Sequence, residues 1–272
     1  MEAIYADDTD FISSDLEFLD FLKNLIPPTI ARYDLNANEK KWALTTLERN
    51  ASKGVPASWR HEKKLGSLLG DEEDVQNRMV RGTLSFKSLR LLWERKKVTS
   101  IDTRMRAYNA FVLPVILYNC GTWGVTDAVI EKLEVYHRRQ LREILGIRKR
   151  ELSNEELYKR CGTNRLKGDI AHARWSLFGH VLRLDRETPA QKAMDYYVEL
   201  GEGEKEPLGK QETTLPVLLF SEYRGFKAHE RGGKAYQKSK ERMLAELRVL
   251  ASDKPGWGEF ICNMRKFILK EE

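Results

Sequence analysis

From residue 74 onward, apolar residues in this 272-residue chain recur at the spacing of a helix face. Val75, Met79, Thr83, Phe86 and Trp93 form the first such stripe, with Arg78, Arg81, Lys87 and Arg90 mostly off it. A stripe of this period is buried by packing helix on helix, because side chains on a strand alternate with a period of two. The same period predicts a helix over about 102–112, stopping at Pro114. It predicts another over 126–145, with Ile130, Leu133, Tyr136, Leu141 and Ile144 inward and Gly146 as the stop. Ser153 with Glu156 reads as a capping box opening a short helix to Cys161. Residues 167–184 read as a helix on Ile170, Ala173, Leu177 and Val181, and 235–251 and 258–269 as the last two.

The N-terminal part departs from this period. Residues 3–6 are strand-like, Asp7-Asp8 is turn chemistry, and 9–13 return as a second strand. Ser14 with Glu17 opens a helix that Pro27-Pro28 is expected to end. Residues 41–47 read as a strand and 50–58 as a loop. Residues 199–213 and 226–234 carry no apolar period and read as loose linker. The expected fold class is mainly α with a small N-terminal β hairpin or sheet, an α+β chain. The expected divisions are 1–70, 71–125, 126–198, 199–234 and 235–272.

Composition narrows the class. With 41% hydrophobic residues and six Trp, the chain has a core to bury, which argues against disorder. Three cysteines at distant positions exclude a disulfide scaffold and suit a reducing, intracellular compartment. No Cys/His cluster has zinc-ligand spacing. The longest apolar run, 110–118, contains Pro114 and falls well short of the ~20 residues of a membrane span. The acidic start reads as neither a signal nor a transit peptide. The net charge of +6 is uneven: residues 1–50 hold five basic and ten acidic residues, whereas 60–150 hold nineteen basic and eleven acidic. Acidic clusters hold divalent cations and basic surfaces hold phosphates, although a basic helical face is also an ordinary solvated surface.

The sharpest chemical feature is Tyr5-Ala6-Asp7-Asp8. Two adjacent carboxylates at a hairpin tip repel unless a cation lies beside them. Such a pair suits Mg²⁺, which takes one or two protein carboxylates and completes its shell with water and phosphate oxygens. With Thr-Asp-Phe-Ile-Ser following it, Tyr-Ala-Asp-Asp resembles the catalytic hairpin of reverse transcriptases. The segments after it, in order, resemble those of non-LTR (LINE-type, jockey-like) retrotransposons. Asn38-Glu39-Lys40-Lys41 is similar to the family's Asn-x-x-Lys, and Lys64-Leu65-Gly66-Ser67 to its primer-grip turn. Leu113 to Tyr118 with Thr122-Trp123 is similar to its Pro-x-x-Leu-Tyr stretch. The helix from Leu133-Glu134 to Gly146 and the run Gly179-His180-Val181-Leu182-Arg183 also match the family's pattern, and Asp253 to Trp257 is a fainter match.

This resemblance implies a palm remnant, a helical thumb and a helical region after it, from an RNA-directed DNA polymerase. It implies that Asp7 and Asp8 bind catalytic Mg²⁺ and that Lys41 approaches the leaving pyrophosphate. Tyr5 and Ala6 would lie near the nucleotide or primer end, with Leu65, Gly66 and Ser67 steadying the primer. Arg78, Arg81, Lys87, Arg90, Lys96 and Lys97 would track the backbone of an RNA template and DNA primer. The family's metal site takes a further Asp from an upstream strand, and the chain starts four residues before Tyr5. The expectation is therefore a chain that binds template–primer without extending a primer by itself. The alternative is a non-catalytic basic helical module for nucleic acid or another partner.

Other residues carry plainer expectations. Tyr118, Trp123 and Trp175 read as core aromatics. His180 reads as a buried, hydrogen-bonded imidazole within an apolar helix. Arg138, Arg139 and Arg142 read equally as a nucleic-acid face and as a plain exposed one.

Overall fold

Helices form here where apolar positions repeat and a cap satisfies the free N–H groups of the first turn. The computed structural model describes residues 2–5, 8–38, 40, 42–46, 58–95, 97–148, 151–199 and 214–270. It is mainly helical with a small antiparallel sheet at the N-terminus, as the sequence period predicts. The chain divides into two units, 1–66 and 67–272.

The first unit holds strands β1 (Glu2–Tyr5) and β2 (Asp8–Phe11), which pair antiparallel with Glu2 opposite Phe11 and Tyr5 opposite Asp8. Lys64 forms an ion pair with Asp10 on β2. Helix α1 (Leu16–Ala31) is capped by Asp15, which accepts from the Phe18 N–H at 3.1 Å; the cap lies one residue beyond Ser14. Pro27-Pro28 does not end α1 but lies inside it. Proline φ is already helical, and each proline leaves the carbonyl four residues back without its helical N–H partner, so α1 runs through the pair with those two bonds missing. Thr29 Oγ1 also donates to Leu25 O at 2.7 Å and Asn24 Nδ2 to Asp20 O at 2.9 Å. The strand expected over 41–47 is not formed by its described residues 42–46, which carry no regular structure. A strand is stable only when a neighbour takes up its N–H and C=O groups, and period alone does not supply one.

The second unit contains α2 (Asp71–Ser88), α3 (Arg90–Glu94), α4 (Ile101–Phe111), α5 (Leu113–Ile116), α6 (Asp127–Leu145), α7 (Asn154–Cys161), α8 (Leu166–Leu182), α9 (Pro189–Glu199), α10 (Leu215–Glu230), α11 (Lys240–Ser252) and α12 (Lys254–Leu269). The expected stripe is inward but split over two helices, with Val75 and Phe86 of α2 and Trp93 of α3 buried. On α6, Ile130, Leu133, Leu141 and Ile144 are buried and Tyr136 half-buried.

Two apolar clusters form this unit. One joins α2, α4, α6 and α7 around Tyr108, Leu133, Leu141 and Leu157. The other joins α8 to α12 around Trp175, Leu219, Met243, Leu247 and Met264. Helix α8 serves both, Leu166 and Ile170 in the first and Trp175, Phe178 and Leu182 in the second. It is therefore buried on more of its circumference than the expected single stripe. The expected divisions at 125/126 and 198/199 do not follow these clusters, because α6 packs on α2 and α4 while α8 packs on α12. The loose stretch expected over 199–234 is corrected for 215–230, which is α10, with Leu219, Phe220, Tyr223 and Phe226 buried at helical spacing. Helix α9 spans Pro189–Glu199, with Met194 and Val198 buried.

Three aromatic expectations divide. Trp123 and Trp175 are 1% and 0% exposed, whereas Tyr118 is 47% exposed. His180 is exposed rather than buried, because it lies on the side of α8 away from both clusters. All three cysteines are free, Cys120 and Cys161 buried and Cys262 exposed.

Candidate nucleic-acid interface

The functional side chains of α6 are aimed by the polar residues behind them. Glu134 and His137 are fully buried on α6, beside Arg138 and Gln140. Tyr108 on α4 donates its hydroxyl proton to Gln140 Oε1 at 2.8 Å and lies 2.8 Å from His137 Nδ1. A hydroxyl has one proton, so His137 must donate from Nδ1, and its buried Nε2 is left as a bare lone pair without a partner. Burial, and after it the charge of Arg138, push His137 down to about 3, so the ring is neutral. Gln140 Nε2 donates to Tyr136 at 2.8 Å. Glu134 accepts from Tyr158 at 2.8 Å and from the Lys167 backbone N–H at 2.9 Å. A buried polar group costs free energy unless paired, so this network fixes the rotation of α6 about its axis.

With that rotation set, Arg139 is exposed and Arg142 half-buried on the outer side. Gly146 ends α6 in the left-handed region at φ 77°, its N–H on Arg142 O at 2.8 Å. A residue with a Cβ is disfavoured there, which is why the stop falls at this glycine. The chain then folds back. Ser153 caps α7, accepting from the Glu156 N–H at 3.1 Å as the capping box predicts. Arg142 Nη2 donates to Asn154 Oδ1 at 2.9 Å, tying α6 to the first residue of α7. The Nε of Arg142 is buried without a partner, and Arg138 is paired to Glu131 at 2.6 Å.

Between these helices lies an open groove of about 940 Å³. Among the described residues, Arg138, Arg139, Arg142 and Arg148 line it with Glu143 as the acid, and Val135, Ile147 and Leu152 supply aliphatic wall. Arg138 is held by Glu131, so Arg139, Arg142 and Arg148 are the described lining cations left to face the groove, with Glu143 as an anion. Guanidinium groups lining one groove suit phosphates, which they bind through paired N–H donors. The sequence marks Arg138, Arg139 and Arg142 but not Arg148. The signal for Arg148 is the short return from the Gly146 stop to the Ser153 cap, which brings it over the same face.

The remaining expected residues are dispersed. Ala6, Asp7, Lys41 and Lys96 lie outside the described residues, as do the side chains of Tyr5 and Asp8. Tyr5 and Asp8 are the last register pair of the β1–β2 ladder, at the end where the hairpin turns. Leu65 and Gly66 are in left-handed backbone, at φ 46° and 84°. Ser67 is buried, accepting from Arg78 Nη2 at 2.9 Å and Asn119 Nδ2 at 3.1 Å. Arg78 is a correction: it is 3% exposed, beside Asp74 at 3.5 Å and 4.5 Å from the centre of the Tyr118 ring, so it is not on an outward basic face. An arginine so buried persists only with its charge paired. Arg81, Lys87, Arg90 and Lys97 are exposed, with Arg90 paired to Glu94 at 3.3 Å, and none of the four lines the groove.

Among the described residues no group of three or more His, Cys, Asp and Glu side chains could hold a metal ion. The expected Mg²⁺ ligands, Asp7 and the side chain of Asp8, lie outside the described residues. Among them, no helix is long and apolar enough to cross a membrane. Comparison with protein-family models, curated proteins and solved structures finds no match for this chain.

Proposed function

We propose that this chain binds the sugar–phosphate backbone of nucleic acid, and that it derives from the template–primer-binding part of a non-LTR retrotransposon reverse transcriptase. One observation carries the binding reading: Arg138, Arg139, Arg142 and Arg148, from two segments of chain, line one groove. The ancestry rests on the ordered motifs of the sequence. RNA template and DNA primer are the partners that ancestry names. Mg²⁺ belongs to the parent reaction of that family.

Backbone binding has a clear physical signature. Each phosphate neutralised releases condensed counterions, so the logarithm of the affinity falls linearly with that of the salt concentration, by roughly 0.7–0.9 per phosphate contact. The test is fluorescence anisotropy of a labelled RNA–DNA template–primer across a salt series. Binding should weaken steeply from low to moderate salt, and Arg139→Gln and Arg148→Gln should each flatten the slope by about 1. Affinity indifferent to salt, or slopes unchanged in both variants, would remove the reading.

A further inference from the structure

The groove lining is not only basic. Val135 is 52% exposed, and Ile147 and Leu152 join it beside the arginines. A double helix turns mainly sugar and phosphate outward, whereas an unpaired nucleotide offers a phosphate and a flat base face together. A space of about 940 Å³ is within the range of concave sites for single small ligands. Arginine suits the role because its planar guanidinium pairs with phosphate and also stacks on aromatic faces. Arg142 is held in place by Asn154, which reduces the ordering cost of binding.

We infer that the α6–α7 groove holds unpaired nucleotides of a single strand, with phosphates on the arginines and bases against Val135, Ile147 and Leu152. This rests on the backbone-binding reading above and goes beyond it by naming the strand state. The experiment is anisotropy with four labelled probes of equal charge: a single-stranded RNA, the same backbone with abasic sites, a short RNA–DNA duplex, and an acidic peptide. The full chain and its Val135→Ser variant are both measured. The side chain at 135 is exposed, so the variant keeps its fold, and a thermal melt checks this.

The intact strand should bind about fourfold tighter or more than its abasic counterpart, the value of burying roughly one methylene's worth of the aliphatic wall under a base. Val135→Ser should weaken the intact strand about fourfold, the value of roughly one buried methylene, and leave the abasic strand unchanged. Val135→Phe should tighten the intact strand by offering a stacking face. If abasic strand or duplex binds as tightly as the intact strand, the phosphate reading stands and unpaired bases are overturned. If neither variant at position 135 changes binding, the aliphatic contact is likewise overturned. Equal binding of the acidic peptide overturns the inference in favour of a protein ligand. If no nucleic acid binds, the backbone reading itself has failed and this one with it.

Discussion

Gly179 on α8 faces the indole of Trp257 on α12 so closely that a β-carbon there would stand 2.0 Å from Nε1 and 2.4 Å from Cε2. The indole is 3% exposed and donates to Trp175 O at 3.2 Å, one turn back along α8. Arg183 extends the same junction by donating to Ala251 O at 3.2 Å. Gly179 and Trp257, far apart in sequence, thus turn out to be two sides of one packing contact.

Gly179→Ala should therefore destabilise the second unit by about 2 kcal/mol, the usual cost of overpacking a core that cannot shift freely. Trp257→Ala should cost roughly 3–5 kcal/mol through the cavity it leaves. Urea denaturation of each variant measures this. A Gly179→Ala protein as stable as the parent would mean that the indole moves aside.

Asp74 and Arg78 form a buried pair, 1% and 3% exposed. Asp74 also accepts from the Leu68 N–H and from Trp123 Nε1, both at 3.0 Å. Asp74→Ala should cost about 3–5 kcal/mol, because it strands the arginine charge and two N–H donors. Arg78→Met should cost less, since the carboxylate keeps both donors. The double variant should be less damaging than the two single effects added together. Strict additivity in the denaturation free energies would show the pair to be uncoupled.

The neutral His137 makes stability depend on pH. Its folded value lies at about 3, set by burial and then by Arg138, while an unfolded histidine titrates near ~6.5. Between those values the unfolded chain binds the extra proton, so stability rises with pH and is lost as pH falls through that window. The loss amounts to about 1.4 kcal/mol per unit over the middle of the window. His137→Gln should be less stable near pH 7 yet show a flatter fall between pH 6 and 4. Parallel curves for the two proteins, followed by urea midpoint against pH, would assign the acid sensitivity elsewhere.

Asn154 positions Arg142 without contributing charge. Asn154→Ala should weaken nucleic-acid binding a few-fold and leave the salt slope unchanged, because the number of cations is the same. Ser153→Ala removes the cap of α7 and should lower stability by about 1 kcal/mol. A change of slope in the first variant would mean that Arg142 leaves the groove altogether.

Helices α2, α6 and α7 were legible because apolar period, capping residues and the Gly146 stop all agree locally, and these are short-range effects. Helix α10 was missed because the glycine- and proline-containing stretch before it obscured its start, although Leu219, Phe220, Tyr223 and Phe226 repeat correctly. Pro27-Pro28 misled because proline φ is itself helical, so the pair can lie inside a helix. His180 and Tyr118 misled because an apolar neighbourhood in sequence does not say which side of a helix faces a partner.

By itself the sequence determined that the chain is helical, where most of its helices begin and end, and that its middle is basic. Tertiary structure alone decided which charges are spent inside and which are free to act. Arg78 and Arg139 are alike as residues, but one lies beside a buried carboxylate and a serine while the other lines an open groove. The reason is physical. Helix propensity and capping act within a few residues, whereas the desolvation of a charge depends on which distant helix packs over it.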